Sequence, residues 1–265
     1  MSIYDFHLGP APLLISIPHA GTQVPEVFSQ RFTAAARALP DTDWYVDQLY
    51  DFATRLGASV IKANYSRYVV DLNRSPDSSP LYATSPTSPV CASRTFAGEA
   101  IYADDEVLHE SEIQQRVEEY WEPYHDRIAT ELERIGEEHP LALLWDAHSI
   151  ASEIPALFPG QLPEFNLGTR DDSACPARVV QALAEEVRAS GKYSVAVNGR
   201  FKGGYITMQY GRPSHSVYAV QLELAERTYM NESPRGEWDP ALAAPAMQCI
   251  ERLLTRYLGF ATLRN

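Results

Sequence analysis

An α/β fold is what the patterning of this chain predicts, as a single domain with a central, mixed, mostly parallel β-sheet flanked by helices. Three observations carry the expectation. Two unbroken apolar runs, Leu13–Ile17 and Leu141–Trp145, read as strands buried on both faces, as strands of a parallel sheet are. Segments of helical spacing fall between such runs, at Val46–Leu56, Val107–His139 and Pro176–Ala189. Both apolar runs also turn polar at their carboxyl ends, delivering His19 and His148 to the edge where open α/β sheets bind ligands.

Taken in order, Leu13–Ile17 leads through Pro18 to His19 and a small-residue turn. Ala20 to Pro40 shows no clear strand and reads as a loop with a short helix. Asp41-Thr42-Asp43 offers an N-cap. Val46, Leu49, Tyr50, Ala53 and Leu56 then form one apolar helical stripe closed by Gly57. Asp43 and Asp47 share a face of that helix; an isolated pair of this kind usually serves the helix dipole. Ser59–Ala63 reads as a strand and Tyr65–Leu72 as another, ending in Arg67-Tyr-Val-Val-Asp-Leu-Asn-Arg74. On strand alternation Arg67, Val69, Asp71 and Asn73 share one face, so Arg74 reaches the same site only if the chain turns near Asn73.

Residues 75–106 are rich in Pro, Ser and Thr without a period, and read equally as a binding loop or a surface excursion. In the long helix that follows, Pro123 should produce a bend or break. His125 and His139 lie in it without ligand spacing and are expected to be structural. A second long loop is expected over 149–170. After a helix to Ala189 and a strand at Tyr193–Val197, Asn198–Thr207 carries three glycines suited to a tight turn near a ligand. The last strand, Val217–Leu224, sets Glu223 between two leucines, and a helix over Pro240–Leu258 closes the chain.

No repeat, composition break or linker divides the 265 residues, so one domain spanning 1–265 is expected. A formal net charge of −13 argues against nucleic acid and anionic membrane surfaces as partners. An anionic small substrate then needs its own cations, for which Arg67, Arg74 and Arg200 stand at strand ends. Three cysteines without a CxxC motif suggest neither a disulfide framework nor a thiolate site. With no signal peptide and no apolar run approaching the ~20 residues of a membrane span, a cytoplasmic protein is expected.

Two strand-end histidines, a helix-N-terminal carboxylate, a strand glutamate and a basic strand end together match a catalytic zinc site. Two His and one carboxylate would fill three positions, leaving the fourth for a water acidified to a pKa of about 7. The glutamate would take that water's proton, and one arginine would stabilise the developing oxyanion. A second arginine, with Asn73, would grip a substrate carboxylate, and Asp146 would orient a ligand from behind.

The blocks SIPHAG (Ser16–Gly21), DTDWYVDQLYDF (Asp41–Phe52), SRYVVDLNR (Ser66–Arg74), LWDAHSI (Leu144–Ile150), NGRFKGGYIT (Asn198–Thr207) and AVQLELAERTYM (Ala219–Met230) resemble the N-formylglutamate amidohydrolase family, distantly similar to zinc carboxypeptidases and aspartoacylases. The blocks run through nearly the whole chain. The resemblance implies zinc-dependent hydrolysis of N-formyl-L-glutamate to L-glutamate and formate, as in histidine degradation. It gives Glu223 the role of general base, Arg67 that of facing the oxyanion, and Asn73-Arg74 that of holding the substrate carboxylate. His19 and His148 become the outer zinc ligands. Carboxypeptidase-like enzymes place a Glu three residues after the first His, where this chain has Thr22, so the third ligand is expected elsewhere: Asp43, ahead of Asp47 and Glu26. A basic pair expected after Gly-Gly-Tyr-Ile-Thr is replaced by Met208-Gln209, which should weaken discrimination for an acidic side chain. The same machinery would also serve another N-acyl amino acid or a peptide carboxyl end, and a binding protein could keep the fold without turnover.

Overall fold

The computed structural model describes residues 2–79, 89–103, 107–232 and 235–262. Its centre is a seven-stranded sheet in the order β1-β3-β2-β4-β7-β5-β6. The strands are β1 (Tyr4–His7), β2 (Leu13–Ile17), β3 (Ser59–Ala63), β4 (Ala142–Ile150), β5 (Phe165–Gly168), β6 (Val195–Val197) and β7 (Val217–Ala225). β3, β2, β4 and β7 are parallel; β1 is antiparallel at one edge, and β5 runs antiparallel to β7 with β6 beside it. A separate antiparallel hairpin joins β8 (Met230–Glu232) to β9 (Arg235–Trp238).

The helices are α1 (Glu26–Ser29), α2 (Ala34–Arg37), α3 (Val46–Leu49), α4 (Glu110–Arg116), α5 (Glu122–Glu138), α6 (Ala177–Ala189), α7 (Tyr205–Tyr210) and α8 (Pro240–Thr262). None of the described helices is long and apolar enough to cross a membrane. Strand alternation sends Leu13, Ile15, Trp145, Ala147, Val220 and Leu222 to one side, where α3, α6 and α8 pack on them. Leu14, Leu144 and Ala219 face the other side, against Tyr124, Ile128 and Ile135 of α5 and Ile206 of α7. The site described below lies at the carboxyl ends of β2, β4 and β7, on this second side.

Several expectations need correction. The helix expected from Val46 to Leu56 is only one turn, α3, followed by a 3-10 turn at Ala53–Leu56. Its start is displaced because Tyr45 is left-handed, at φ 60°, and the Asp43 N–H is committed to the His19 carbonyl at 3.1 Å. Gly57, at φ +72°, does end the segment. Tyr65–Leu72 is not a strand. Val69 N–H donates to the Ser66 carbonyl at 2.8 Å, and the Asp71 carboxylate accepts from Asn73 N–H at 2.9 Å, so local polar bonds coil an apolar-rich segment into turns.

The helix through Pro123 is not broken: Val117–Trp121 widens into a π turn between α4 and α5, just where proline cannot donate back along the helix. The loop expected over 149–170 is shorter, since β4 runs to Ile150 and β5 occupies Phe165–Gly168. The loop expected over 75–106 lies in part, at 80–88 and 104–106, outside the described residues.

Candidate active site

β2 and β4 pair in parallel, so the residues leaving them emerge side by side. His19 follows β2 by two residues, and His148 sits within β4; their rings are 4.8 Å apart, and they are 2 % and 4 % exposed. Asp43 closes the triangle from the turn before α3, where its N–H bond to the His19 carbonyl holds it. Its Oδ2 lies 3.0 Å from His148 Nδ1 and 3.8 Å from His19 Nδ1. One ligand atom from each of these three residues falls within 4.8 Å of the others.

The remote nitrogens explain why both Nδ1 atoms face Asp43. His19 Nε2 lies 2.8 Å from Asp71 Oδ1, and His148 Nε2 lies 3.1 Å from Asp146 Oδ2. A carboxylate behind each imidazole fixes its orientation and raises its basicity as a ligand. The facing nitrogen of His19 is buried without a hydrogen-bond partner. A buried, orphaned imidazole nitrogen beside a carboxylate and a second imidazole fits a metal ion, and N/O donors of this kind suit zinc.

The charged groups of the cluster shift one another's protonation. Burial lowers the His19 pKa, with Arg67 adding to the shift. Burial would also lower that of His148, but Asp146 and Asp43 outweigh it and hold the ring well above its ordinary value. The negative charge that draws a proton to His148 would equally draw a cation. Burial opposes the charge on Arg67 too, yet Asp71 and Asp43 raise its pKa. Arg67 reaches Asp71 Oδ2 at 2.8 Å and Asp43 Oδ1 at 3.6 Å, which keeps Asp71 well below the usual carboxylate range despite burial.

Glu223 lies beside His148 in the β4–β7 register and is 7 % exposed. Burial pushes its pKa up to about 7; Asp43 and Asp146 add to the shift, and His148 and Arg67 oppose it. Gln221 Nε2 donates to Glu223 Oε2 at 3.1 Å.

The Asn73 amide is engaged at both ends within the chain. Its Nδ2 lies 3.1 Å from Asp146 Oδ2 and 2.8 Å from His148 Nε2, and its Oδ1 accepts from Ile206 N–H at 2.8 Å. These contacts make Asn73 a bracket between β4 and the start of α7. The glycine-rich segment has a specific purpose here. A Cβ on Gly204 would come within 2.4 Å of the Asn73 amide, and the Gly204 N–H donates to Gln221 Oε1 at 2.7 Å.

Arg74 is half-buried, its Nη1 donating to the Asn73 carbonyl at 3.0 Å. Arg200 is exposed on the turn after β6 and does not join the buried cluster. The alternative third ligands lie elsewhere, Asp47 against Lys62 at 3.5 Å and Glu26 against Gln30 at 3.0 Å. Met208, in α7, is 38 % exposed and meets the Arg170 guanidinium at 3.6 Å. His125 is bonded to the Leu72 carbonyl and the Tyr210 hydroxyl, away from the cluster. Sequence reasoning assigned nothing to Asp71 or Gln221. The signal for Asp71 was its spacing of four from Arg67, a pair that two buried charges need. A cavity of about 440 Å³ adjoins the cluster, lined among others by Asp41, Thr42, Phe96, Ser149 and Ile150.

Comparison with known proteins identifies the family of the chain. The sequence profile of the N-formylglutamate amidohydrolase family matches residues 11–230. An N-formylglutamate deformylase of Pseudomonas putida is 44 % identical over 262 residues, covering 99 % of this chain and 98 % of the relative. One from Pseudomonas aeruginosa is 45 % identical with the same coverage. The crystal structure of N-formylglutamate amidohydrolase from Ralstonia eutropha JMP134 superposes with a TM-score of 0.84 at 26 % identity, covering 98 % of this chain and 99 % of that one. The chain belongs to the N-formylglutamate amidohydrolase family.

Proposed function

We propose that this protein hydrolyses the formyl amide of N-formyl-L-glutamate, releasing formate and L-glutamate, with one zinc ion held by His19, Asp43 and His148. The observation that carries the reading is the buried His19–Asp43–His148 triangle with Glu223 in register beside it, in a chain 44 % identical over its length to a deformylase of that substrate. A metal bound there supplies Lewis acidity toward the scissile carbonyl and acidifies water.

The chain's own residues divide the remaining work. Glu223, with a pKa near 7, accepts a proton from the attacking water as its oxygen bonds to the formyl carbon. Arg67 faces the carbonyl oxygen as it becomes anionic, its charge held on by Asp71 and Asp43. Glu223 then returns the proton to the departing amine nitrogen as the C–N bond breaks. Asp71 and Asp146 orient the two imidazoles, and Asn73 with Gln221 fixes the floor between β4, β7 and α7. Arg74 binds the substrate α-carboxylate, a small anion that an acidic protein must attract locally.

Formate release by the zinc-loaded protein tests the reading, with N-formyl-glutamate, N-formyl-glutamine and an α-ester of N-formyl-glutamate as substrates. The free acid should turn over and the α-ester should be poor, while Arg74→Ala should raise KM more than it lowers kcat. Because neither Met208 nor Gln209 is itself a cation, discrimination between N-formyl-glutamate and N-formyl-glutamine should be weaker than an acid-specific pocket would give. Absence of formate release with stoichiometric zinc bound would sink the activity, and equal turnover of the α-ester would remove Arg74 from carboxylate recognition.

A further inference from the structure

We propose that Phe96 is a positioning residue for Arg67, and that the Asp41 carboxylate latches it in place. The inference rests on the reading of Arg67 as the group that faces the oxyanion.

Residues 93–101 fold back on themselves in a tight antiparallel turn. Thr95 N–H donates to the Glu99 carbonyl at 2.8 Å, Ile101 N–H to the Ser93 carbonyl at 2.9 Å, and Arg94 bridges Ala100. Gly98 makes the reversal at φ +86°, with open space where a Cβ would lie. Thr33 clamps the base: its N–H donates to the Ile101 carbonyl at 2.9 Å and its hydroxyl to the Ala100 carbonyl at 2.7 Å. Phe96 therefore rides at the tip of a braced turn.

Two bonds dock that tip beside the site. Asp41 Oδ2 accepts from the Phe96 N–H at 2.8 Å and from the Tyr68 hydroxyl at 2.6 Å. Asp41 stands two residues before Asp43, so the latch belongs to the segment that supplies a corner of the triangle. Docked there, the Phe96 ring lies 4.6 Å from the centre of the Arg67 guanidinium. Phe96 also packs on the small apolar cluster of Ile150, Phe158, Leu162 and Ala225.

Among the described residues the guanidinium is otherwise held by its edges, through Asp71 Oδ2 at 2.8 Å, the Asp41 carbonyl at 3.3 Å and Asp43 Oδ1 at 3.6 Å. Edge contacts fix its position; a stacked aromatic face restricts its tilt and excludes water from it. A charge screened from water acts more strongly on an oxygen that becomes anionic in the transition state. Removing the ring should therefore lower kcat with little effect on KM.

The test measures formate release from N-formyl-glutamate by zinc-loaded Phe96→Tyr, Phe96→Leu and Phe96→Ala, each in the native and Arg67→Ala backgrounds, with zinc content and Tm recorded. Phe96→Leu keeps apolar bulk on the Ile150 cluster and loses the aromatic face. Phe96→Leu and Phe96→Ala should lower kcat roughly 10- to 100-fold with KM within about threefold, while Phe96→Tyr stays within about threefold of native. In the Arg67→Ala background the same changes should be nearly silent, since a positioning residue has nothing left to position. Native kcat in Phe96→Leu, or an equal loss with and without Arg67, would overturn the proposal. The two readings fail separately: native kcat in Arg67→Ala removes the oxyanion role and this inference with it, whereas loss in Arg67→Ala with none in Phe96→Leu removes the inference alone.

Discussion

The two faces of β4 are equally buried and chemically opposite. Toward α3, α6 and α8 the strand presents Leu143, Trp145 and Ala147, and the neighbouring strands continue the pattern with Ile15, Val220 and Leu222. Toward α5 and α7 it begins the same way, with Ala142 and Leu144, then changes to Asp146 and His148 at the carboxyl end. β7 changes in step, from Ala219 to Gln221 and Glu223, as the parallel register requires. Burial is therefore not what separates structure from chemistry here. The difference lies in cost: the apolar face gains free energy on desolvation, and the polar face loses it unless each group is paired. Pairing is nearly complete, through Asp71, Asp146, Asn73 and Gln221, and His19 Nδ1 is one of the few atoms left over. Four carboxylates, Asp43, Asp71, Asp146 and Glu223, surround one guanidinium and two imidazoles, so the cluster has room for added positive charge.

If the polar end of the second face is a metal site, its corners should show the largest effects in the molecule. His19→Ala, Asp43→Ala and His148→Ala should each lose stoichiometric zinc by elemental analysis, with formate release falling below detection. Asp47→Ala and Glu26→Ala, outside the triangle, should keep both. Full zinc and activity in His19→Ala would relocate the site.

Next in size is Glu223, paired directly with His148 across β4 and β7 on the same face. Glu223→Gln preserves shape and hydrogen bonding but not basicity. It should bind zinc normally and lose roughly 10²- to 10⁴-fold in kcat. A near-native kcat would return Glu223 to a structural role beside Gln221.

The opposite face should fail differently. Trp145 is fully buried, and its Nε1 donates to the Tyr50 hydroxyl at 2.7 Å. Trp145→Ala should cost about 3–5 kcal/mol of stability, read from the urea midpoint. Turnover per folded molecule at low temperature should stay close to native. A large kcat loss in the folded fraction would mean that the two faces are mechanically coupled through the strand.

The comparison also explains what was legible in the sequence. β2 and β4 could be read because strands buried on both faces are written as unbroken apolar runs, and His19 and His148 because polar residues abruptly end such runs. The turns at Arg67–Arg74 were not legible as turns. Tyr68, Val69, Val70 and Leu72 are strand-forming residues, and what overrides them is the local turn bonds together with long-range partners, Asp71 with His19, and Asn73 with His148 and Ile206. Asp43 was legible as a residue, but its geometry was not, because the bond that places it comes from the carbonyl of His19, 24 positions earlier. β1, β8 and β9 are edge or hairpin strands of three or four residues, too short to show a period. Phe96 carried no signal at all: its place depends on the Asp41 carboxylate and a fold-back that only the tertiary structure reveals.

The smallest effect comes from a histidine on the same face that takes no part in the cluster. His125, on α5, stacks on Trp121 and is bonded to the Leu72 carbonyl and the Tyr210 hydroxyl. Burial pushes its pKa down to about 3, against an ordinary value of 6.5. Between those values the unfolded chain binds a proton that the folded chain excludes. The stability His125 contributes is thus fully present above pH 6.5 and lost as pH falls toward 3, at about 1.4 kcal/mol per unit. His125→Gln keeps polar contacts to Leu72 and Tyr210 but cannot titrate. Urea midpoints measured from pH 8 to pH 4.5 should therefore fall less steeply in the variant, with a difference in slope of about 1.4 kcal/mol per unit below pH 6 and none above pH 7. Parallel curves across the whole range would show that the native state admits a proton at His125, and that this stretch of the second face is less insulated from water than its packing indicates.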